Sequence, residues 1–269
     1  MQCTTRLMAP PGFWKRSLDE FKRVSLIAIR FDTVRLQQRP FPLITFSEPN
    51  SVTLCKTMSD ADMGGLSKAE LDFVPLSASE PSHAHFHGDI SIELPRNNPE
   101  VVRTGYAGWR TLDRGRTLWG KSLWDIDPYT FLALRVKSDG RKYFVNVQTD
   151  SIIPTDLHQH RLFSKKPGEW ETVVIPFNDF VRTNHGQVVE PQSEMLREKV
   201  KSVGISLIDR IPKPYSLKIE KIWATNAQDD EWLTPSEKGD IAAAQREASI
   251  GDESKSREEK KAEPEKILM

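Results

Sequence analysis

The 269-residue sequence has little of several things that would assign it directly to a class of protein. It has two cysteines, Cys3 and Cys55, which is too few for a disulfide framework or a paired-cysteine zinc motif, and this indicates a reducing compartment. It has no apolar run of about 18 residues and no apolar secretory signal, so no membrane-spanning segment is predicted. It has no net charge, since 38 basic residues balance 38 acidic ones, and nucleic acid is not an expected partner.

Patterns that mark common enzymes are also scarce. The sequence has no GxGxxG, HExxH or GxSxG pattern. Two carboxylate pairs, Asp125 with Asp127 and Glu169 with Glu171, have the residue types for acid–base catalysis, but paired acids at strands and turns are usually solvated. We therefore predict no catalytic residue, no cofactor and no small-molecule substrate.

The middle of the chain has the short period that is typical of β-strands. Apolar runs rich in β-branched and aromatic residues are separated by Gly, Pro, Asp or Asn, which predicts a β-sandwich. These runs are FLALRVKS, KYFVNVQTD, WETVVIPF, SVGISLID and YSLKIEKIWA. Asp139 and Gly140 lie between the first two runs and predict a type I′ hairpin. A helix is indicated in PQSEMLREKV.

Three of the six histidines, His83, His85 and His87, alternate in the stretch SHAHFHGDISIELP. Alternation that continues to Leu94 predicts a half-buried strand with the histidines facing water. Alternate histidines on a strand are also able to share a zinc ion. The only nearby groups that could orient such ligands are acids of the same strand, Asp89 among them. We predict no metal ligand here, and the remaining histidines, His158, His160 and His185, are assigned to loops.

The two ends of the chain differ in charge from the middle. Residues 1–39 hold eight basic residues against three acidic ones, and GFWKRSLDEFKRVSLIAIRF has the spacing of an amphipathic helix. Such a helix packs on its domain, stays exposed, or binds a partner or a membrane surface. Residues 226–269 hold twelve acids and seven bases, and the segment after Trp232 has too little apolar surface for a core. We predict a basic helix in residues 1–38 and a mostly disordered tail in residues 233–269.

The segment WRTLDRGRTLW is the predicted partner-binding site. It combines two residue types that are common at the centre of interfaces, and its members are Trp109, Arg110, Arg114, Arg116 and Trp119. The alternative is a core tryptophan at each end of a solvated basic loop. In a further alternative, sugar rings stack on tryptophan side chains, namely those of Trp109, Trp119, Trp124 and Trp170. Packing in the core is nevertheless the more common role of tryptophan.

Several stretches together resemble the complex I intermediate-associated protein 30 family, and its fungal members in particular. They are SDADMGGLS, FHGDISIELP, GYAGWRT, YTFLALRVKSDGRKYFVNVQTD, WETVVIPFNDF and VGISLIDRIPKPYSLKIEKIWA, and they extend over about residues 39–226. The resemblance implies an all-β jelly roll of the galactose-binding-domain-like kind, assigned here to residues 39–232. It also implies a mitochondrial chaperone-like factor that attends membrane-arm intermediates of NADH:ubiquinone oxidoreductase.

The resemblance implies partners as well. They are other complex I assembly factors and early membrane-arm subunits, with peripheral association on the matrix side of the inner membrane. The other hypotheses are a carbohydrate-binding module that uses the concave sheet face and a histidine-liganded metalloenzyme. The absence of further metal motifs speaks against the metalloenzyme, and residence in mitochondria speaks against the carbohydrate-binding module.

Overall fold

The computed structural model describes residues 12–30, 40–95, 98, 101, 103–118 and 120–226. The predicted disordered tail, the predicted domain boundaries at residues 38 and 232, and Trp119 lie outside the described residues. The described part begins with helix α1, Phe13–Arg30, as the amphipathic spacing predicted. No helix in these residues is long and apolar enough to cross a membrane.

Two antiparallel sheets follow the helix. Their strands, numbered along the chain, are β1 (Phe41–Thr45), β2 (Cys55–Ser59), β3 (Lys68–Val74), β4 (His83–Asp89), β5 (Ala107–Thr111), β6 (Arg116–Thr117), β7 (Gly120–Lys121), β8 (Phe131–Ser138), β9 (Tyr143–Thr149), β10 (Asp156–Arg161), β11 (Trp170–Pro176), β12 (Val181–Asn184), β13 (Gln187–Val188), β14 (Val200–Leu207) and β15 (Pro214–Thr225). Short helical turns occupy Asn50–Thr53, Asp60–Met63, Phe177–Asp179 and Arg197–Lys199.

The sheets form a sandwich. The first sheet has the order β11-β8-β15-β4-β3, with β1 also paired to β15, and the second has the order β13-β12-β10-β9-β14-β5-β2. Strands β6 and β7 form a separate two-stranded ribbon. In β9, Tyr143, Val145 and Val147 are fully buried while the residues between them are half-buried, because alternate side chains face the core and the outside. The five apolar runs therefore become β8, β9, β11, β14 and β15, as predicted.

The predicted hairpin at Asp139 and Gly140 is wrong. Strand β8 lies in the first sheet and β9 in the second, so the turn carries the chain from one sheet to the other. Gly140 has a φ of +87°, but Asp139 is not among the described residues with positive φ, which a type I′ turn requires at both positions. The Asp139 carboxylate instead accepts hydrogen bonds from the Tyr143 hydroxyl at 3.1 Å and the Ser216 amide at 2.8 Å.

Other predictions from local sequence patterns, for the histidines and for one helix, were also wrong. Strand β4 ends at Asp89, and Leu94 is exposed outside it. His83 is completely buried instead of facing water; its Nδ1 lies 2.7 Å from the Pro81 carbonyl oxygen and its ring packs edge-on against Trp170. PQSEMLREKV contains one 3-10 turn, Arg197–Lys199, and no α-helix. His158 and His160 lie in β10 and not in a loop, whereas His185 does lie in a turn.

Candidate partner-binding surface

Trp109, the first residue of the predicted site, lies in the core. It is 1% exposed and packs edge-on against Phe46, with ring centroids 5.7 Å apart. Its strand partner Ile205 is fully buried on the same face of the sheet. Direct contact between the Trp109 side chain and a partner is therefore not possible in this fold, which agrees with the core alternative for this residue.

Arg110 points to the opposite face of the second sheet. Its Nη1 donates to Asp113 Oδ1 at 3.0 Å and to the Thr111 carbonyl at 3.1 Å. Lys201 also contacts Asp113, at 3.3 Å, so this carboxylate orients two basic side chains. Desolvation raises the pKa of Asp113, but the hydrogen bonds from Arg110 and Lys201 outweigh it and hold the pKa below its usual value. Arg110 is thus held in a fixed position at the rim of the sheet.

Arg114 and Arg116 follow on the loop and on the β6–β7 ribbon. The Arg114 guanidinium lies over the ring of Trp124, 5.5 Å from its centroid, and donates to the Leu123 carbonyl at 3.5 Å. Arg116 is exposed on β6. The fold therefore brings Arg110, Arg114 and Arg116 to one region, and partner binding through these arginines stays a prediction. Trp119, the fifth predicted site residue, lies outside the described residues.

Helix α1 is attached to this ribbon through two residues of its first turns. Arg16 donates from Nη2 to the Arg116 carbonyl at 3.4 Å, and the Leu118 amide donates to the buried Ser17 hydroxyl at 3.0 Å. The Arg16 guanidinium also lies close to Gly115, at 3.4 Å from where a Cβ would be. Sequence reasoning did not anticipate this attachment, because nothing in a helix pattern shows which loop it meets.

Large apolar side chains stay exposed around this attachment. Trp14 is 74% exposed, Leu18 and Phe21 are each 53% exposed, and Leu118 on the ribbon is 60% exposed. Apolar area of this kind on a monomer is typical of a surface that another molecule covers. The helix and the ribbon therefore form one surface that combines apolar side chains with the basic residues described above, and we call it the α1–ribbon surface.

The ribbon also contains the letters of the phosphate-binding pattern GxxxxGK[ST], in GRTLWGKS from Gly115 to Ser122. A phosphate-binding loop of this type connects a strand to the N-terminus of a helix. Here the segment forms β6 and β7, and the next element in the described residues is strand β8 and not a helix. Lys121 is paired with Asp150 at 2.6 Å. The structural context required for nucleotide binding is therefore missing.

The carboxylate pairs have structural partners. Asp125 accepts from the Asp127 amide at 3.3 Å, and Asp127 lies 3.4 Å from Arg197. Glu171 is buried and accepts from the Ser164 hydroxyl and from the Lys165 amide, the latter at 3.0 Å, so it closes the turn before β11. These contacts give Asp125, Asp127 and Glu171 a structural reason to be acidic.

Among the described residues, the tryptophans of the carbohydrate-binding alternative offer little open aromatic surface. Trp124 is 7% exposed in the core, and Trp170 is half-buried against His83 in the first sheet. Together with the buried Trp109, these positions leave little described tryptophan surface for the stacking of sugar rings.

The outer face of the second sheet carries a row of polar side chains instead. Asn146 donates to Ser206 at 2.9 Å, Gln159 donates to Asn146 at 2.7 Å, and Thr183 donates to Gln159 at 2.8 Å. This row crosses strands β14, β9, β10 and β12, and its members form hydrogen bonds with one another.

Sequence reasoning missed Asp60, which joins two of the sequence stretches quoted above. Asp60 is fully buried and follows β2 in SDADMGGLS. Its Oδ1 accepts from the Ser67 amide at 2.9 Å, and its Oδ2 accepts from the Ser67 hydroxyl at 2.8 Å. The same Oδ2 accepts from the amides of Gly105 at 2.6 Å and Tyr106 at 3.3 Å, in GYAGWRT. The sequence signal that could have indicated a buried acid is the presence of glycines close to Asp60 in SDADMGGLS. The structure explains one of them, because a Cβ on Gly65 would come within 2.5 Å of the Asp60 side chain.

Comparisons with known proteins agree with this architecture. The sequence profile of the family described as Complex I intermediate-associated protein 30 (CIA30) matches residues 44–219. The protein named "Complex I intermediate-associated protein 30, mitochondrial" from Neurospora crassa is 50% identical over 262 residues, which cover 91% of this chain and 93% of that protein. The mouse protein of the same name is 27% identical over 180 residues, which cover 66% of this chain and 53% of the mouse protein.

One solved structure shows the same fold. It is the family 11 carbohydrate-binding module of a cellulosomal cellulase from Clostridium thermocellum, which superimposes with a TM-score of 0.50 at 15% identity and covers 74% of this chain and 99% of that module. The predicted all-β jelly-roll sandwich of the galactose-binding kind is therefore confirmed. At this identity the similarity extends to the fold alone.

Proposed function

Because this chain belongs to the complex I intermediate-associated protein 30 family, we propose that it is an assembly factor for respiratory complex I. It acts in mitochondria, as the names of its relatives indicate for those proteins. In its finer form the proposal is that the protein binds intermediates of the membrane arm as a chaperone does. It works on the matrix side of the inner membrane, with which it associates peripherally.

The single observation that carries a binding function is the α1–ribbon surface. It consists of exposed apolar side chains, with Trp14 the most exposed, on a helix that contacts the ribbon at Arg116, and Arg110 and Arg114 precede this ribbon in the chain. Arginine and tryptophan are the residue types most enriched at the energetic centres of protein interfaces. Surfaces that combine a basic rim with apolar anchors gain both association rate and residence time from a complementary partner.

The chemistry of this surface defines its partner. Exposed apolar side chains require apolar side chains on the partner, and the arginines require acidic groups next to them. Other assembly factors and early membrane-arm subunits are the proposed source of this complementary surface. No nucleic acid or small-molecule substrate is part of the proposal.

A charge-reversal experiment tests the proposal. Tagged protein in which Arg110, Arg114 and Arg116 are all replaced by Glu is captured from mitochondria, and the co-purifying proteins are identified by mass spectrometry. We expect complex I subunits and assembly factors to co-purify with the unchanged protein and to be depleted by about tenfold or more with the variant. The exposed Arg114 and Arg116 contribute little to stability, whereas Arg110→Glu loses the hydrogen bonds to Asp113 and to the Thr111 carbonyl, so a lowered melting temperature is expected and circular dichroism verifies that the variant is folded at the temperature of capture.

A matched control reverses three other exposed basic residues. Lys142, Lys166 and Lys213 lie in turns near the strand ends at Tyr143 and Leu207, whereas the ribbon lies near the other end of the paired strands. Their replacement by Glu makes the same change in net charge and is expected to leave capture intact. Equal depletion by both triple variants would mean that capture follows net charge only. Absence of complex I proteins from every sample would contradict the proposed function itself.

A further inference from the structure

The outer face of the first sheet brings together four potential metal ligands where β3 pairs with β4. The strand register places Glu70 directly opposite His87 and Asp72 directly opposite His85. Directly opposite residues in antiparallel strands have Cβ atoms about 4.5–5.5 Å apart. All four residues lie on the face opposite Leu71 and Phe86, which are buried in the core. We call these four residues the β3–β4 cluster.

The side chains of the cluster converge. His87 Nε2 lies 2.8 Å from Asp72 Oδ2, which is the diagonal and not the direct pairing. One potential ligand atom from each of Glu70, Asp72 and His87 lies within 4.8 Å of the other two. The rings of His85 and His87 are tilted by 34° with centroids 4.4 Å apart. Two carboxylates and the His87 imidazole thus surround one small volume at the sheet surface, and the His85 ring lies beside it.

His85 lies beside this volume and is positioned by a neighbouring strand. Its Nε2 lies 2.8 Å from the Ser216 hydroxyl on β15, and its ring packs against that of His87. His85 therefore helps to position the His87 ring, while the converging ligand atoms come from Glu70, Asp72 and His87.

We propose that the β3–β4 cluster binds one divalent transition-metal ion, with Zn²⁺ as the preferred species. Imidazole nitrogen and carboxylate oxygen are common ligands of zinc, and Glu70, Asp72 and His87 supply three of the four ligands of a tetrahedral site, with water as the fourth. Magnesium and calcium are poor candidates because they prefer oxygen ligands alone. The two carboxylates also supply the negative charge that balances a dication.

This proposal reverses the expectation from sequence. The sequence offered only carboxylates of the histidine strand itself, whereas the structure supplies Glu70 and Asp72 from the neighbouring strand. A bound ion would stabilise the structure, since β3 is the last strand of the first sheet and the ion would link it to β4.

Metal titration of the full chain tests the proposal. Purified protein, stripped of metal with a chelator, is titrated with zinc by calorimetry, and Mg²⁺ is tested as a competitor. We expect one equivalent of Zn²⁺ to bind in a saturable way, and an excess of Mg²⁺ not to displace it. His87→Gln and Glu70→Gln are each expected to weaken zinc binding by about tenfold or more, which is the range for the loss of an important interaction at a metal site.

Two controls make the result specific. His185→Asn removes an exposed histidine outside the cluster; its φ of 48° is one that asparagine tolerates, so zinc binding should be unchanged. Melting temperatures measured without metal verify that the variants fold, and Glu70→Gln is a nearly isosteric change at an exposed position. Failure to bind zinc, unchanged affinity in both cluster variants, or equal displacement by Mg²⁺ would each overturn the proposal.

Discussion

Replacement of Asp60 by Asn should destabilise the fold, because an NH₂ group takes the place of one of the two buried carboxylate oxygens that accept hydrogen bonds. The carboxylate accepts four hydrogen bonds through two oxygens, and asparagine keeps only one oxygen. If its NH₂ group takes the position of Oδ1, it faces the Ser67 amide; if it takes the position of Oδ2, it faces the amides of Gly105 and Tyr106. The first orientation opposes one N–H donor and the second opposes two, so each leaves at least one buried N–H without an acceptor.

The magnitude follows from these contacts. A buried donor left unsatisfied costs about 1–3 kcal/mol, and hydrogen bonds to a charged acceptor are stronger than those to an amide oxygen. We expect Asp60→Asn to lower the free energy of unfolding by about 2–4 kcal/mol. For a domain of this size, that change lowers the melting temperature by about 5–15 °C.

Thermal unfolding followed by circular dichroism, with urea unfolding as a second measurement, provides the assay. The matched control is Asp62→Asn, the same chemical change two residues along the chain at an exposed position. The control is expected to change the melting temperature by no more than about 2 °C, because surface substitutions have small effects. If the two variants melt at the same temperature, the reasoning about Asp60 as the link between the two segments is refuted.

Two further predictions concern stability. Glu80 accepts hydrogen bonds from Lys137 at 2.8 Å and Lys218 at 2.7 Å, which lower its pKa to about 2, so its contribution is present above its usual pKa and is lost as the pH falls from about 4.5 to about 2. In urea unfolding at several pH values, Glu80→Gln should be less stable than the unchanged protein by about 1 kcal/mol at pH 6, and this gap should close in acid; a gap independent of pH would contradict the assignment. Gly140→Val should lower stability by about 1–3 kcal/mol, because valine is strained at a φ of +87° and its Cβ would lie 3.3 Å from Pro167. In Gly186→Val the backbone strain is similar but no atom lies within 4 Å of the Cβ, so equal melting temperatures for the two variants would show that the Pro167 contact contributes nothing.

Local sequence determined the strands and the family. The run of apolar and β-branched residues in FLALRVKS and the alternation in KYFVNVQTD located β8 and β9 to within a residue, because strands that contact a core are apolar on at least one face. The N-terminal helix was predictable for the same kind of reason, since its period is set by its own backbone. The order and spacing of the six quoted stretches were enough to identify the family, which the profile match to residues 44–219 confirms.

Tertiary structure alone decided which strands are neighbours and which way side chains face. The turn at Asp139 and Gly140 has the letters of a hairpin, but a turn fixes only the reversal of the chain and not the sheet in which the next strand pairs. Trp109 could have faced a partner or the core, and its place in the second sheet, with Phe46 packed against it, settled the matter. The carboxylates beside His87 come from β3, fifteen or more residues earlier in the chain. Strand register determines which residues lie opposite each other, and no local sequence pattern encodes that register.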